Sequence, residues 1–445
     1  MSREAPVDLI ETGRSVCALA TELGAQEASA SVQYSIYTDL NQRDGMLEKN
    51  QESRSLSVMV ELLVDDRFSS HSTNDLRPEA LRAFLQRAVD ATRFLEPDPN
   101  RRLPPLEDMG SADMAALDLD DASWPPESAS VRRSAVSRLE TLCQEARGDA
   151  PVRSINTFVW DGRVDGCAVA SNGFEARWAR TSVGHGGSIT MEDRDGRLPE
   201  AMAYYATRHS SDLPAMASVA TELIERGSRR IGSKPIKSGR YKMLLENRAA
   251  GRMLRVLTSP LSGGAVYEGR SCLADKLNAS IAPAGFSLID DPLIPRAPGS
   301  RPHTSDGFVS SARPIVEDGV LRSFFLSLYN SRRLDMAPTA GGASNLVIAP
   351  GADSPAALLA QSGSCIRIEG FLGGNSSAIT GDFSFGVVGT LFEDGVPVQP
   401  ISEMNVSGNL FELLARWQAS ADDVWTYGSW RVPSLLFDDI QFSGL

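Results

Sequence analysis

Four histidines and five cysteines are the residues of this 445-residue chain best suited to hold a metal, and their spacing works against it. Two histidines one helical turn apart can share a zinc ion, and a neighbouring glutamate can then deprotonate the bound water. His71, His185, His209 and His303 have no such neighbour. His71, in SSHSTND, reads as a polar residue at a strand end, and His185 as part of a glycine-rich turn. His209 stands beside Arg208, and His303 lies in RPHTSD. Cys17, Cys143, Cys167, Cys272 and Cys365 are far apart and never in Cys-x-x-Cys spacing. They read as buried free thiols of a reducing compartment.

Other chemistries find no more support. There is no Gly-x-Ser-x-Gly nucleophile elbow. Gly341-Gly342 and Gly373-Gly374 lack the strand–GxGxxG–helix context of a dinucleotide site and read as turns or bulges. The pairs Asp290-Asp291, Asp422-Asp423 and Asp438-Asp439 could bind cations or act as acid and base. Adjacent acids on a strand point to opposite faces, so capping or solvation explains them better.

The net charge of -13 argues against a nucleic-acid partner, because phosphate binding needs clustered Lys and Arg. No apolar run approaches the ~20 residues that span a bilayer. The start, MSREAPVDLIETG, lacks a basic region followed by an apolar core. The expectation is a cytoplasmic protein of two or three domains.

The elements that would position a site follow from periodicity. Leu9, Gly13, Val16, Cys17, Ala20 and Leu23 recur at helical spacing, and Gly24 suits the stop. Ala28, Ala30, Val32, Tyr34 and Ile36 alternate as in a half-buried strand, and Leu56 to Val64 reads as a second, central one. Pro78 opens a helix with the stripe Leu81, Phe84, Leu85, Ala88 and Leu95. Residues 97–127 are rich in proline and aspartate and read as a linker or long surface excursion. A helix from about Ser130 to Arg147 leads into hairpins, with Asp161-Gly162, Asn172-Gly173 and Asp195-Gly196 as turn dipeptides. A helix from about Leu213 to Arg230 closes that unit. Beyond Arg240 short strands and glycine turns dominate (Glu317-Asp318-Gly319, Glu393-Asp394-Gly395), with a helix from Asn409 to Trp417. The fold class expected is α+β: an N-terminal α/β unit (1–96), the linker (97–127), a hairpin-rich α+β unit (128–232) and a β-rich, barrel-like unit (233–445).

Five segments of the last unit carry a resemblance: SGGAVYEGRSCLADKLN (262–278), the segment from Arg301 to Leu334, TAGGASNLVIAPG (339–351), the segment from Gly381 to Leu410, and PSLLFDDIQFSG (433–444). With SSHSTNDLRPEAL (69–81) and Ser171-Asn172-Gly173-Phe174, they stand in the order found in the TldD/TldE (PmbA) peptidase family, which the chain resembles from about Tyr34 to Leu445. In that family the TldD-like chain brings a His-Glu-x-x-x-His pair and a C-terminal cysteine to one zinc ion. The stretch here is YKMLLENRAAGRML, from Tyr241 to Leu254. Glu246 matches the first histidine, Asn247 the glutamate and Gly251 the second histidine, and the matching region from Ala419 to Thr426 has no cysteine. All four chemical positions are changed together.

The resemblance therefore implies a TldE/PmbA-like chain. It would carry no cofactor itself, with zinc expected in a TldD-like partner subunit, and the pair would act on extended, unfolded peptides in proteolysis or peptide maturation. Gly263, Gly264, Asn345, Gly373, Gly374 and Asp382 are candidate peptide-binding or interface positions. No membrane or nucleic-acid partner is expected, and a homodimer could form without the partner. The alternative is a stand-alone homodimeric peptide-binding or scaffold protein. A third arrangement would use Glu246 as a base with His303 or Asp306 near it.

Overall fold

The computed structural model describes residues 5–124 and 128–444, so the end of the Pro/Asp-rich segment (125–127) and Leu445 lie outside the described residues. Helix α1 (Leu9–Glu22) starts on Asp8, whose carboxylate accepts the N–H groups of Ile10 and Glu11. That satisfies donors a helix start otherwise leaves open. Its buried stripe, including Val16, Cys17 and Ala20, packs with Ala30 and Val32 of β1 (Glu27–Arg43). Strands β2 (Met46–Val64) and β3 (Arg67–Thr73) and helix α2 (Pro78–Thr92) follow. The second strand thus begins well before Leu56. Its first residues are exposed, so no apolar alternation marks them.

After α3 (Met114–Leu117) and α4 (Ala129–Ala146) come β4 (Val152–Ala170), β5 (Glu175–Met191), β6 (Glu200–Thr207) and α5 (Met216–Ser228). Strands β1 to β6 form one sheet in the order β3-β2-β1-β4-β5-β6, with every pairing antiparallel. β1 and β4 pair from Ser29↔Ala170 to Arg43↔Asn156, so the first and second units share a continuous sheet. The segment between them does not separate two sheets. Gly110 and Ala112 donate to the carbonyls of Gly307 and Pro302, and Leu119 accepts from Thr181 of β5.

All four long helices lie on one face of this sheet. α1 and α2 pack over Val32, Val60 and Val169, and α4 and α5 over Ile155, Ile189 and Met191. The pairing registers put Ser31, Ser35 and Tyr37 of β1, Trp160, Gly162 and Gly166 of β4, and Trp178, Arg180, Ser182 and Gly184 of β5 on the opposite face. Two readings of this region are corrected. Asp161-Gly162 lies inside β4 and makes no turn, and His185 lies within β5, buried. Asn172-Gly173 and Asp195-Gly196 do connect strands, each glycine with positive φ.

The rest of the chain is β-rich. In order it forms β7 (Gly239–Leu245), α6 (Asn247–Leu254), α7 (Gly263–Tyr267), β8 (Leu288–Asp290), β9 (Arg313–Glu317), β10 (Val320–Leu321), α8 (Leu328–Leu334), β11 (Leu346–Val347), α9 (Pro355–Ala360), β12 (Ser364–Ser376), β13 (Asp382–Glu393), β14 (Val396–Asn409), α10 (Leu410–Ala415), β15 (Trp417–Ser420), β16 (Trp430–Arg431) and β17 (Leu435–Ser443). The order β14-β13-β12-β7-β17 closes on itself where Asn405 and Val406 pair with Ser443 and Phe442. This closing contact turns the five strands into a barrel. A second sheet, β10-β9-β8-β11-β16, shares its core, which includes Met243, Leu245, Ile368, Val387, Phe437 and Phe442. The α+β class with a barrel in the last unit is therefore observed.

Candidate functional site

Strand β7 ends on three buried residues, Met243, Leu244 and Leu245, and the chain turns at once into α6. Glu246, at the turn, does not point into open space. Both its oxygens accept from the guanidinium of Arg226 on α5, at 2.8 Å each. The two side chains are 6% and 21% exposed, so the pair is largely screened from water. Burial works against the Arg226 charge, but the Glu246 bond and the fields of Glu246, Glu222 and Glu369 hold its pKa above the ordinary arginine value. Arg226 follows Leu223 by three residues on the apolar stripe of α5, a spacing that marks it in the sequence as buried and therefore paired.

The next position, Asn247, is tied to the C-terminal loop. Its side-chain amide donates to the carbonyl of Asp423 at 2.6 Å, and its N–H donates to Ser434 Oγ at 3.1 Å. Ser434 donates in turn to both carboxylate oxygens of Asp423, through its N–H and its hydroxyl, at 2.8 Å each. Burial outweighs these bonds and pushes the Asp423 carboxyl above the usual range. One turn on, Gly251 is covered by Trp430: a Cβ there would stand 2.7 Å from Trp430 Cβ. Between them Arg248 lies over the rings of Trp425 and Tyr205, 4.1 and 4.6 Å from their centroids, and pairs with Glu222 at 2.8 Å. Tyr205, Trp425 and Tyr427 pack together. The fold thus brings the β7–α6 turn and the region from Ala419 to Thr426 together, as the resemblance implies. Sequence reasoning missed Arg226, Arg248, Tyr205 and Trp430.

These residues do not fit a zinc ion. One carboxylate is engaged by a guanidinium, one amide is spent on a carbonyl, and a tryptophan fills the third place. Among the described residues no group of three or more His, Cys, Asp and Glu side chains could hold a metal. The histidines are dispersed. His71 Nε2 shares a hydrogen bond with Ser69, and His209 Nε2 donates to the Asp118 carbonyl at 2.8 Å. Burial lowers the pKa of His185 and of His303. The acidic pairs have structural partners: Asp290 accepts from Ser344, Asp423 from Ser434, and Asp439 pairs with Arg240 and Arg416.

The remaining candidates are scattered. Gly263 donates to the Phe325 carbonyl at 2.9 Å and opens α7, where Gly264 follows. Asn345 is fully buried; it accepts from Gly299 N and donates to the Asp291 carbonyl and Ser300 Oγ. Gly373 and Gly374 form a bulge of β12 with positive φ, and Arg252 of α6 donates to the Phe371 and Gly373 carbonyls. Asp382 accepts from Asn409 at the start of β13. His303 and Asp306 line a cleft of about 340 Å³ with Ser29, Ser31, Met59 and Tyr329. Glu246 is not among its lining residues, so the structure does not join it to them.

A β7–α6 turn on a closed barrel, joined to a helix-backed antiparallel sheet, defines the architecture of a multidomain α+β chain. Residues 238–444 match the PmbA/TldA metallopeptidase C-terminal domain, and residues 28–92 match PmbA/TldA metallopeptidase domain 1. The Metalloprotease PmbA of Escherichia coli O157:H7 is 25% identical over 94% of this chain and 92% of its own length. A protein of Bacteroides thetaiotaomicron described as a candidate modulator of DNA gyrase is 31% identical, with a TM-score of 0.93 over 98% of each chain. TldE of Thermococcus kodakarensis has the same fold, with a TM-score of 0.82 at 16% identity over 97% of this chain and all of its own. The chain belongs to the PmbA/TldD metallopeptidase family.

Proposed function

We propose that this chain is the TldE/PmbA-like subunit of a two-chain zinc metallopeptidase that acts on unfolded peptides, in proteolysis or peptide maturation. Its zinc is held by a TldD-like partner, and the pair works in the cytoplasm. The observation that carries this reading is the state of the β7–α6 turn. Each position that the resemblance aligns with a zinc group is filled by a residue with another partner: Glu246 with Arg226, Asn247 with the Asp423 carbonyl, and Gly251 with Trp430. A site that had merely lost one ligand would keep the others free. Here the barrel, the turn and the helix are retained while the space for an ion is built over, as suits a chain that supports a neighbour's chemistry.

Co-expression with a TldD-like chain tests this. The two are expected to co-purify, with stoichiometric zinc in the partner and none in this chain, and cleavage of unfolded peptides is expected to require both. A partner fully active by itself would sink the reading. So would peptide cleavage and stoichiometric zinc in this chain alone.

A further inference from the structure

The sheet face opposite the helices carries an uncompensated cation. Arg180 of β5 sits midway along it and is only partly exposed. Among the described residues its guanidinium has no hydrogen bond and no ion pair, and burial alone depresses its pKa. Its charge in turn acts on a second arginine. Arg208, just beyond β6, is buried; its guanidinium donates to the carbonyls of Thr181 and Pro298, and its Nε has no partner. Burial and the charge of Arg180 push Arg208 down to about 10. Two arginines held together without an acid cost stability in any protein, because desolvation and repulsion add. A chain with 57 acidic residues has had ample means to supply a counter-charge.

The surroundings are shaped as well as charged. Trp178 pairs across the strands with Gly166, and Trp160 with Gly184. Each ring lies flat where the glycine has no side chain: a Cβ on Gly166 or Gly184 would stand 2.5 Å from the indole opposite. Between the two indoles lie Arg180, Ser182, Gly162 and Val164. His303, from the C-terminal domain, packs on Trp178 at 5.2 Å and walls one end. The result is an arginine set on a floor of small side chains between two aromatic plates. Such plates offer large apolar contact area, and a guanidinium takes a carboxylate in two parallel hydrogen bonds.

We propose that Arg180, flanked by Trp160 and Trp178 and backed by Arg208, is a receptor for the C-terminal carboxylate of an extended peptide. This rests on the reading of the chain as part of a peptide-handling complex. A single carboxylate suits the site better than a polyanion, which the overall charge of -13 repels.

The test uses the full chain alone and a short Ala/Leu tetrapeptide, offered as the free acid and as the C-terminal amide. Binding is followed by tryptophan fluorescence, with inorganic phosphate as competitor. The free acid is expected to bind at least tenfold more tightly than the amide, and Arg180→Gln to erase that difference. The melting temperature of R180Q is expected to be unchanged or raised, since no contact is lost and the repulsion of Arg208 is relieved. Equal affinity for acid and amide, no binding of either, or a preference that survives in R180Q would overturn the proposal. Phosphate binding tightly while acid and amide remain equal would assign the site to a free anion instead and overturn it too. Any of these results beside an intact zinc-dependent pair would refute only the carboxylate site, whereas failure of the pair to assemble would refute the subunit reading.

Discussion

Trp430 lies directly on Gly251: a Cβ at residue 251 would stand 2.7 Å from its Cβ and 3.0 Å from its Cγ. Residue 251 is one turn into the helix that leaves the barrel, and Trp430 belongs to the same buried core as Met253 and Leu254. The position that the resemblance aligns with a zinc-binding histidine is therefore covered by an indole from a distant part of the chain. A site cannot be restored here by substituting ligands one at a time.

Gly251→His should destabilise the protein by about 1–3 kcal/mol, the usual cost of overpacking a core, read from denaturant unfolding. The triple change Glu246→His, Asn247→Glu and Gly251→His should bring no stoichiometric zinc, measured as metal content after dialysis. A stable, zinc-loaded triple variant would show that the strand carrying Trp430 moves aside freely.

Arg226→Met should be costly, about 3–5 kcal/mol, because it leaves Glu246 without a partner in a site largely closed to water. Adding Glu246→Gln to that variant should recover part of the loss, so that the double change costs less than the sum of the singles. Strict additivity in the cycle would mean that the two groups do not act as a pair.

Local pattern carried much of the fold. Ala28 to Ile36 and the stripe of α1 were legible because one face of each meets the core, and sequence periodicity records burial. The same rule explains the failures. Residues Met46 to Ser55 of β2 are exposed, so backbone pairing with β1 makes them a strand without any apolar signature. Gly162 looks like a turn residue but serves close approach: a Cβ there would lie 3.0 Å from the Ile36 carbonyl oxygen of the neighbouring strand. The turn at Glu246 could be located by resemblance, yet its partners could not. Arg226 lies on α5, and Asp423 and Trp430 lie in the stretch between β15 and β17, segments that only barrel closure and domain packing bring to the turn.

Asp121 should govern part of the acid sensitivity. It is 4% exposed, accepts from the N–H and hydroxyl of both Ser123 and Ser210, and thereby fixes the segment before α4 to the end of β6. Burial alone would raise its pKa, but the serine bonds prevail and bring it down to about 2 from 3.8. A depressed carboxylate stabilises the fold above its unfolded pKa and loses that contribution as pH falls through the folded one. Asp121→Asn should therefore be less stable than the parent by about 2 kcal/mol at pH 7. The gap should close between about pH 4 and pH 2. A gap independent of pH in this window would show that the charge of Asp121 is not what holds the segment.

The thiols provide a test of packing that needs no substitution. Cys17, Cys143, Cys167 and Cys365 are buried, and Cys272 is partly so. Burial pushes Cys17 and Cys143 up to about 12, and Cys167 and Cys365 up to about 11. Because the thiolate is the reactive form, these four should be silent toward an aromatic disulfide reagent at pH 8 for as long as the chain is folded. Cys272, raised by burial to a lesser degree, should react alone and slowly. All five should appear at once in denaturant. If Cys17 and Cys167 reacted in the native protein at the rate of Cys272, α1 would have to lift from the sheet, since both sulfurs lie between them and donate to the carbonyls of Val169 and Leu9.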